Sequence, residues 1–218
     1  MVSAKAKHNR RPEYVQYGCG MNPAEGWVNF DASPTLLIER LPLIGQLARK
    51  NKQRFPKSVQ HGDIVRGLPI PKHYCKAIYC SHVLEHLSLA DCRTALRNTF
   101  DLLRPGGTFR AVLPDIEAAI KNYINDGTKD AAPSFMRETQ LGSEKRGRSA
   151  KELVKLFWGN SHHLWMWDYK SLESELKLAG FTEIRRAFFG DSEEEMFQSA
   201  EHQDRWTNCL GVECKKPS

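Results

Sequence analysis

The sequence predicts an α/β protein, with a mostly parallel β-sheet flanked by helices and a last antiparallel strand. Three observations carry this reading. Short β-type apolar runs alternate with longer segments of helical period, the clearest helix has both a cap and a stop, and the first apolar run breaks directly into a glycine turn, Gly18-Cys19-Gly20.

In chain order, "YVQY" and "WVNF" read as the first two strands. Only ten residues, Met21 to Phe30, separate Gly20 from Asp31, whereas a parallel crossover takes about a dozen or more. The first crossover helix is therefore expected to be reduced to a loop, "MNPAEG". The apolar segment "PTLLIERLPLIGQLA", broken by Pro42, follows, and then come the strand candidates "SVQHGD" and "CKAIYC". In "SLADCRTALRNTFDLLRPGG", Ser88 is the N-cap with Asp91 three residues on, while Cys92, Leu96, Phe100 and Leu103 share one face. Pro105, Gly106 and Gly107 are expected to end that helix.

"TFRAVLP" is a strand that runs into "DIEAAIKNYIND", a helix Asp115 can cap. Ala131 to Trp158 reads as further helix with a basic, glycine-containing break, "LGSEKRGRSA". In "DYKSLESELKLAGF", Asp168 caps a helix whose Leu172, Leu176 and Ala179 share a face and whose stop is Gly180. "TEIRRAFF" and "TNCLGVECK" are the late strands, separated by the acidic "GDSEEEMF".

Composition bounds the function. The chain has 218 residues, 40% apolar and 27% charged, the balance of one soluble globular domain. Residues 1–12 are expected to be a basic disordered tail and residues 13–218 a single domain, with insertions at about 32–57 and 131–167 forming a substrate lid. The tail has no apolar core of a secretory signal, and no apolar run is long enough to cross a bilayer, so a cytoplasmic location is expected. The six cysteines have no Cys-x-x-Cys spacing and read as reduced, mostly buried thiols. The net charge of +6 comes from the tail and from "RKNKQRFPK", Arg49 to Lys57. Setting both aside leaves a mildly acidic body, which argues against nucleic acid as partner. Arg49 to Lys57, following an apolar segment, could instead meet an anionic surface. The oligomeric state is left open.

In open parallel sheets, ligands bind beyond the carboxyl ends of the strands. Those positions are Gly18 to Asn22, Asp31, Asp63, Ser81 with His82, and Pro114 with Asp115. Gly18 and Gly20 would let a ligand approach bare backbone, and Asp31 is positioned to accept hydrogen bonds from a ribose diol. The spacing of about 20 residues to the acid that marks dinucleotide enzymes is not met.

"VQYGCG", "VNFD", "HGDI", "YCSHVLEHL", "LLRPGGTFRAVLPD" and "LGVEC" resemble the successive motifs of class I S-adenosylmethionine-dependent methyltransferases, which have a Rossmann-like fold. The resemblance runs from about Tyr14 to Lys215 and is strongest to a bacterial subgroup sharing the "HLWMWDY" stretch, some of it associated with cell-envelope saccharides. It implies S-adenosylmethionine as cofactor, with Gly18, Cys19 and Gly20 at its methionine part and Asp31 at the ribose. Asp63 and Ile64 would border the adenine, and Ser81 and His82 would line the floor near the sulfonium. The family usually has an acid where this chain has Gln16.

A methyl acceptor that carries a proton needs a base, and "SHVLEH" supplies candidates. On a helix His82, Glu85 and His86 would share a face. They read as polar residues of a helix start, as a general base (His82 or His86), or as a metal site, because His-x-x-Glu-His matches a zinc-hydrolase spacing and resembles the Glu-x-x-Glu-His of some metal-dependent methyltransferases. A further ligand could come from His162 or His163 in "NSHHLWMWDYKSL", where Leu164, Trp165 and Trp167 are expected to pack under the sheet's edge. His163 is read as an acceptor-side catalytic group. The function expected is methyl transfer to a small-molecule or glycan- or lipid-linked acceptor. The alternatives are a zinc-dependent hydrolase on His82, Glu85 and His86, or a non-catalytic binder retaining the cofactor fold.

Overall fold

The computed structural model describes residues 13–40, 54–143 and 162–218. Seven strands form one sheet: β1 (Tyr14–Tyr17), β2 (Val28–Asp31), β3 (Val59–His61), β4 (Cys75–Ser81), β5 (Leu103–Pro114), β6 (Thr182–Ala187) and β7 (Cys209–Lys215), in the order β3-β2-β1-β4-β5-β7-β6. The neighbours from β3 through β5 pair in parallel, and β7 runs antiparallel between β5 and β6. The chain builds outward from β1 to β3 and then crosses back to lay β4 against the other side of β1. Strand order therefore reverses between β1 and β4, which opens a crevice beyond their carboxyl ends.

The helices are α1 (Pro34–Arg40), α2 (Leu89–Leu102), α3 (Ile116–Asn125), α4 (Ala131–Glu138) and α5 (Tyr169–Ala179). The expected caps are in place. Ser88 accepts from the Asp91 N–H, Asp115 from that of Glu117 and Asp168 from that of Ser171, while Gly180 ends α5 at a φ of 102°. Each cap satisfies a donor that the helix itself leaves orphaned. Two expectations need correction. Pro105, Gly106 and Gly107 do not lie at the helix end but inside β5, because α2 already stops at Leu102. Of the helix expected over Ala131 to Trp158, α4 accounts for the first turns, and residues 144–161 lie outside the described ones, as do the tail and most of Arg49 to Lys57.

Side chains alternate across the sheet. Ile78 and Cys80 of β4, with Phe109, Ala111 and Leu113 of β5, join the main core with Cys92 and Leu96 of α2 and Leu172 and Leu176 of α5. The opposite face carries Ala77, Tyr79 and Val112, packed against Ala24 and Trp27 of the shortened crossover and Phe197 and Ala200 of a later segment. That segment, residues 188–206, contains two 3₁₀ turns, Glu195–Ser199 and Gln203–Arg205.

One residue holds it down. Arg110 of β5 is 0% exposed and meets Glu201, Glu213 and Asp191, donates to the Phe188 carbonyl, and stacks on Trp206 at 4.8 Å. Arg185 adds a second positive charge through Asp191 and Glu213. A guanidinium has five N–H donors and so can satisfy several acids at once, which is what this buried position requires.

Candidate functional site

The first crossover is a loop, as its length predicted, and it is built from polar side chains. Ala24 donates its N–H to both Gln16 Oε1 and Asn29 Oδ1, at 3.0 and 2.9 Å, and Asn29 Nδ2 returns to the carbonyls of Ala24 and Trp27. Gln16 thus organises the loop that replaces the helix.

The loop and the glycine turn form one wall of a cavity of about 250 Å³ at the β1–β4 reversal. Gln16, Gly20, Tyr79 and Ser81 line it from the sheet side, and Ala200, His202 and Arg205 face them from the segment that Arg110 anchors. These last three were not singled out in the sequence. The available signal was Arg110, a charge set among apolar residues of a strand.

The two glycines do different work. Both have positive φ, 67° at Gly18 and 54° at Gly20. Gly18 lines the cavity with its main chain, and a Cβ on it would lie 2.1 Å from Val83 Cγ2, so its bareness also makes room for Val83. A Cβ on Gly20 would meet nothing within 4 Å, so here the bare backbone does face open space. Asp31 accepts from the N–H of Gly20 at 2.9 Å and from that of Ser33 at 2.8 Å, one on each oxygen. It fixes the turn, and a carboxylate's roughly four lone-pair sites leave it acceptor capacity for a diol.

The remaining predicted cofactor residues divide. Cys19 is buried against Leu36 and Val59, and burial with the nearby Asp31 charge pushes its thiol up to about 12, so it offers the cavity main chain only. Asp63 accepts from the Val65 N–H and pairs with Arg66 at 3.6 Å. Ile64 is buried in the main core, with its carbonyl held by Asn98. Ser81 lines the cavity and takes a long 3.4 Å bond from Arg205 Nε.

His82 follows β4 with φ at 54°, a conformation of appreciable cost for a residue with a Cβ. Its Nε2 lies 3.0 Å from the Arg205 carbonyl and its Nδ1 3.4 Å from Glu85 Oε1. Burial opposes its charge, but Cys209, Glu85 and the Arg205 carbonyl outweigh it and raise the ring to about 9. These contacts make His82 an anchor between the turn after β4 and the segment that carries Arg205.

The expected helical face is a single 3₁₀ turn, Leu84–His86. The stretch after residue 162 is stapled to it, since Leu164 and Trp165 both donate to the Glu85 carbonyl, at 2.7 and 3.1 Å, while Trp167 bridges to Asp115. Trp167 is 1% exposed, as expected. Leu164 at 60% and Trp165 at 43% are on the surface, contrary to expectation, because the staple turns their side chains outward. It also brings His163 beside His86, with ring centroids 5.0 Å apart. Burial lowers the pKa of His163.

Comparison with known proteins points to one kind of domain. Residues 15–111 match the family model described as a methyltransferase domain. The match spans 97 of the 218 residues and marks that part of the chain as similar to a methyltransferase domain. Among solved structures it is similar to an S-adenosylmethionine-dependent methyltransferase from Archaeoglobus fulgidus, at 14% identity over 95% of this chain and 87% of that one, with a TM-score of 0.49. It is also similar to a Thermotoga maritima methyltransferase described as a possible histamine N-methyltransferase, at 13% identity over 94% and 83% of the two chains, TM-score 0.49. No curated protein matches. Among the described residues no helix is long and apolar enough to cross a membrane. The turn at Gly20, with its open side and its tether to Asp31, leaves room and acceptors for the S-adenosylmethionine that such a domain would use.

Proposed function

We propose that this methyltransferase binds S-adenosylmethionine across the β1–β4 reversal and methylates a small-molecule or glycan- or lipid-linked acceptor. The observation that carries the proposal is the open face of Gly20 beside Asp31, at the mouth of the cavity. The bound cofactor supplies a methyl group already activated on a sulfonium. What the chain must add is alignment, and positioning alone can lower a barrier by roughly 7–11 kcal/mol.

Gly20 and Gln16 would border the amino-acid part, Asp31 the ribose hydroxyls and Asp63 the adenine. Ser81 and His82 would form the floor near the sulfonium, a reading supported by Ser81 in the cavity lining and by the contact of His82 with the Arg205 carbonyl of the segment that covers the cavity. That cover would exclude water from one side of a bound donor. His86 and His163, held away from the cavity lining by the staple on Glu85, are assigned to the acceptor side.

The acceptor class is tested by measuring S-adenosylhomocysteine release with panels of hydroxylated small molecules, oligosaccharides, glycolipids and RNA. Turnover with a member of the first three groups is expected. Turnover with RNA alone would overturn the assignment of acceptor.

A further inference from the structure

The 3₁₀ turn after β4 holds groups that positioning a methyl donor leaves unused. Glu85 is 0% exposed, and neither carboxylate oxygen has a hydrogen-bond partner. His82 Nδ1 stands 3.4 Å from Oε1, close enough to balance the charge but not at hydrogen-bond geometry. A buried carboxylate persists with bare lone pairs only where something else fills them.

Two imidazoles converge on it. His86 Nδ1 is 3.1 Å from the His162 carbonyl, and His163 Nδ1 is 2.8 Å from the Thr139 carbonyl. A carbonyl only accepts, so Nδ1 carries the proton in both rings and Nε2 is the bare nitrogen. His86 Nε2 is 3.9 Å from Glu85 Oε1, beyond hydrogen-bond reach. Glu85, His86 and His163 each bring one ligand atom to within 4.8 Å of the others. Lone pairs thus face lone pairs across a gap that a cation would bridge.

We infer that Glu85, His86 and His163 bind a divalent transition-metal ion of the zinc class. Two imidazole nitrogens and one carboxylate are a donor set that Zn²⁺ accepts, and three protein ligands leave a fourth position open for water or an acceptor oxygen. Zn–N bonds of ~2.0–2.1 Å draw the three groups inward from their present spacing. The Nδ1–H bonds to main-chain carbonyls are the outer support that metal-bound histidines use to hold tautomer and ring orientation. The loop is held by Leu164 and Trp165 on the Glu85 carbonyl, contacts that need no ion, so the site is shaped before the metal arrives. None of the three residues lines the donor cavity, and the inference does not rest on methyl transfer.

The test uses the full chain, stripped with a chelator and titrated with Zn²⁺ and, for its visible spectrum, Co²⁺. One ion per chain is expected, with ligand-field bands for Co²⁺ and a raised melting temperature. Glu85→Gln and His163→Ala should each lose stoichiometric binding while keeping the wild-type far-ultraviolet spectrum. His162→Ala should keep binding, because His162 contributes its main-chain carbonyl. Wild-type protein that takes up neither ion, or His163→Ala protein that still binds one ion per chain, would overturn the site. So would loss of binding in His162→Ala with retention in His163→Ala. Each readout is metal uptake, so an inactive methyltransferase leaves the result interpretable.

Discussion

Replacing Gly18 with alanine separates room for a neighbouring side chain from room for a ligand. The new Cβ would lie 2.1 Å from Val83 Cγ2, and the residue would keep a φ of 67°. The left-handed backbone costs an L-residue about 1–2 kcal/mol, and forcing an extra methyl into packed surroundings costs about 1–3 kcal/mol. Gly18→Ala should therefore destabilise by about 2–5 kcal/mol. Val83→Ala opens the space, so in the double variant only the backbone cost and the loss of valine packing remain. A double-mutant cycle should give a favourable coupling of about 1–3 kcal/mol. Gly20→Ala, with open space at its Cβ, should lose only the backbone term of about 1–2 kcal/mol. Urea unfolding at unchanged m-value reads all four. Strict additivity of Gly18→Ala and Val83→Ala, or a Gly20→Ala protein as unstable as Gly18→Ala, would refute this division of labour.

Arg110→Met leaves Glu201 buried without its cation, while Glu213 keeps Arg185, and removing one partner of a buried pair costs about 3–5 kcal/mol; denaturant unfolding checks the loss, and proteolysis should cut residues 188–206 first. Lys216 Nζ reaches His73 Nδ1 and the carbonyls of Phe100 and Leu103 at 2.8–2.9 Å, so Lys216→Met should cost about 1–3 kcal/mol through orphaned acceptors, read by the same unfolding experiment. Asp191 is subject to burial, which raises its pKa, but Arg185 and Arg110 prevail and lower it. The stability this gives is present above the unfolded carboxylate value of about 3.9 and is lost as pH falls through the lower folded value. Melting temperature followed below about pH 4 should fall less steeply in Asp191→Asn than in wild type.

Much of the sheet was legible because its signals are local. Ser88, Asp115 and Asp168 act on backbone groups two or three residues away, and the ten-residue gap from Met21 to Phe30 excluded a crossover helix by length alone. What was hidden depends on distant partners. The packing of Gly18 is set by Val83, and the covering role of residues 188–206 by Arg110, whose carboxylate partners are spread along the chain from Asp191 to Glu213. The outward turn of Leu164 and Trp165 follows from a carbonyl on Glu85, which no periodicity reveals. His163 could be nominated from its motif, but its pairing with His86 required the staple. Ile64, nominated from its motif, is claimed by the core.

Calorimetric titration of S-adenosylhomocysteine into wild-type and Gly20→Ala protein tests the donor site most directly. One-to-one binding by wild type, lost or greatly weakened in a Gly20→Ala protein that still melts cooperatively, is the predicted result. Absence of heat and of any melting shift in wild type, or equal affinity in the two proteins, would contradict it.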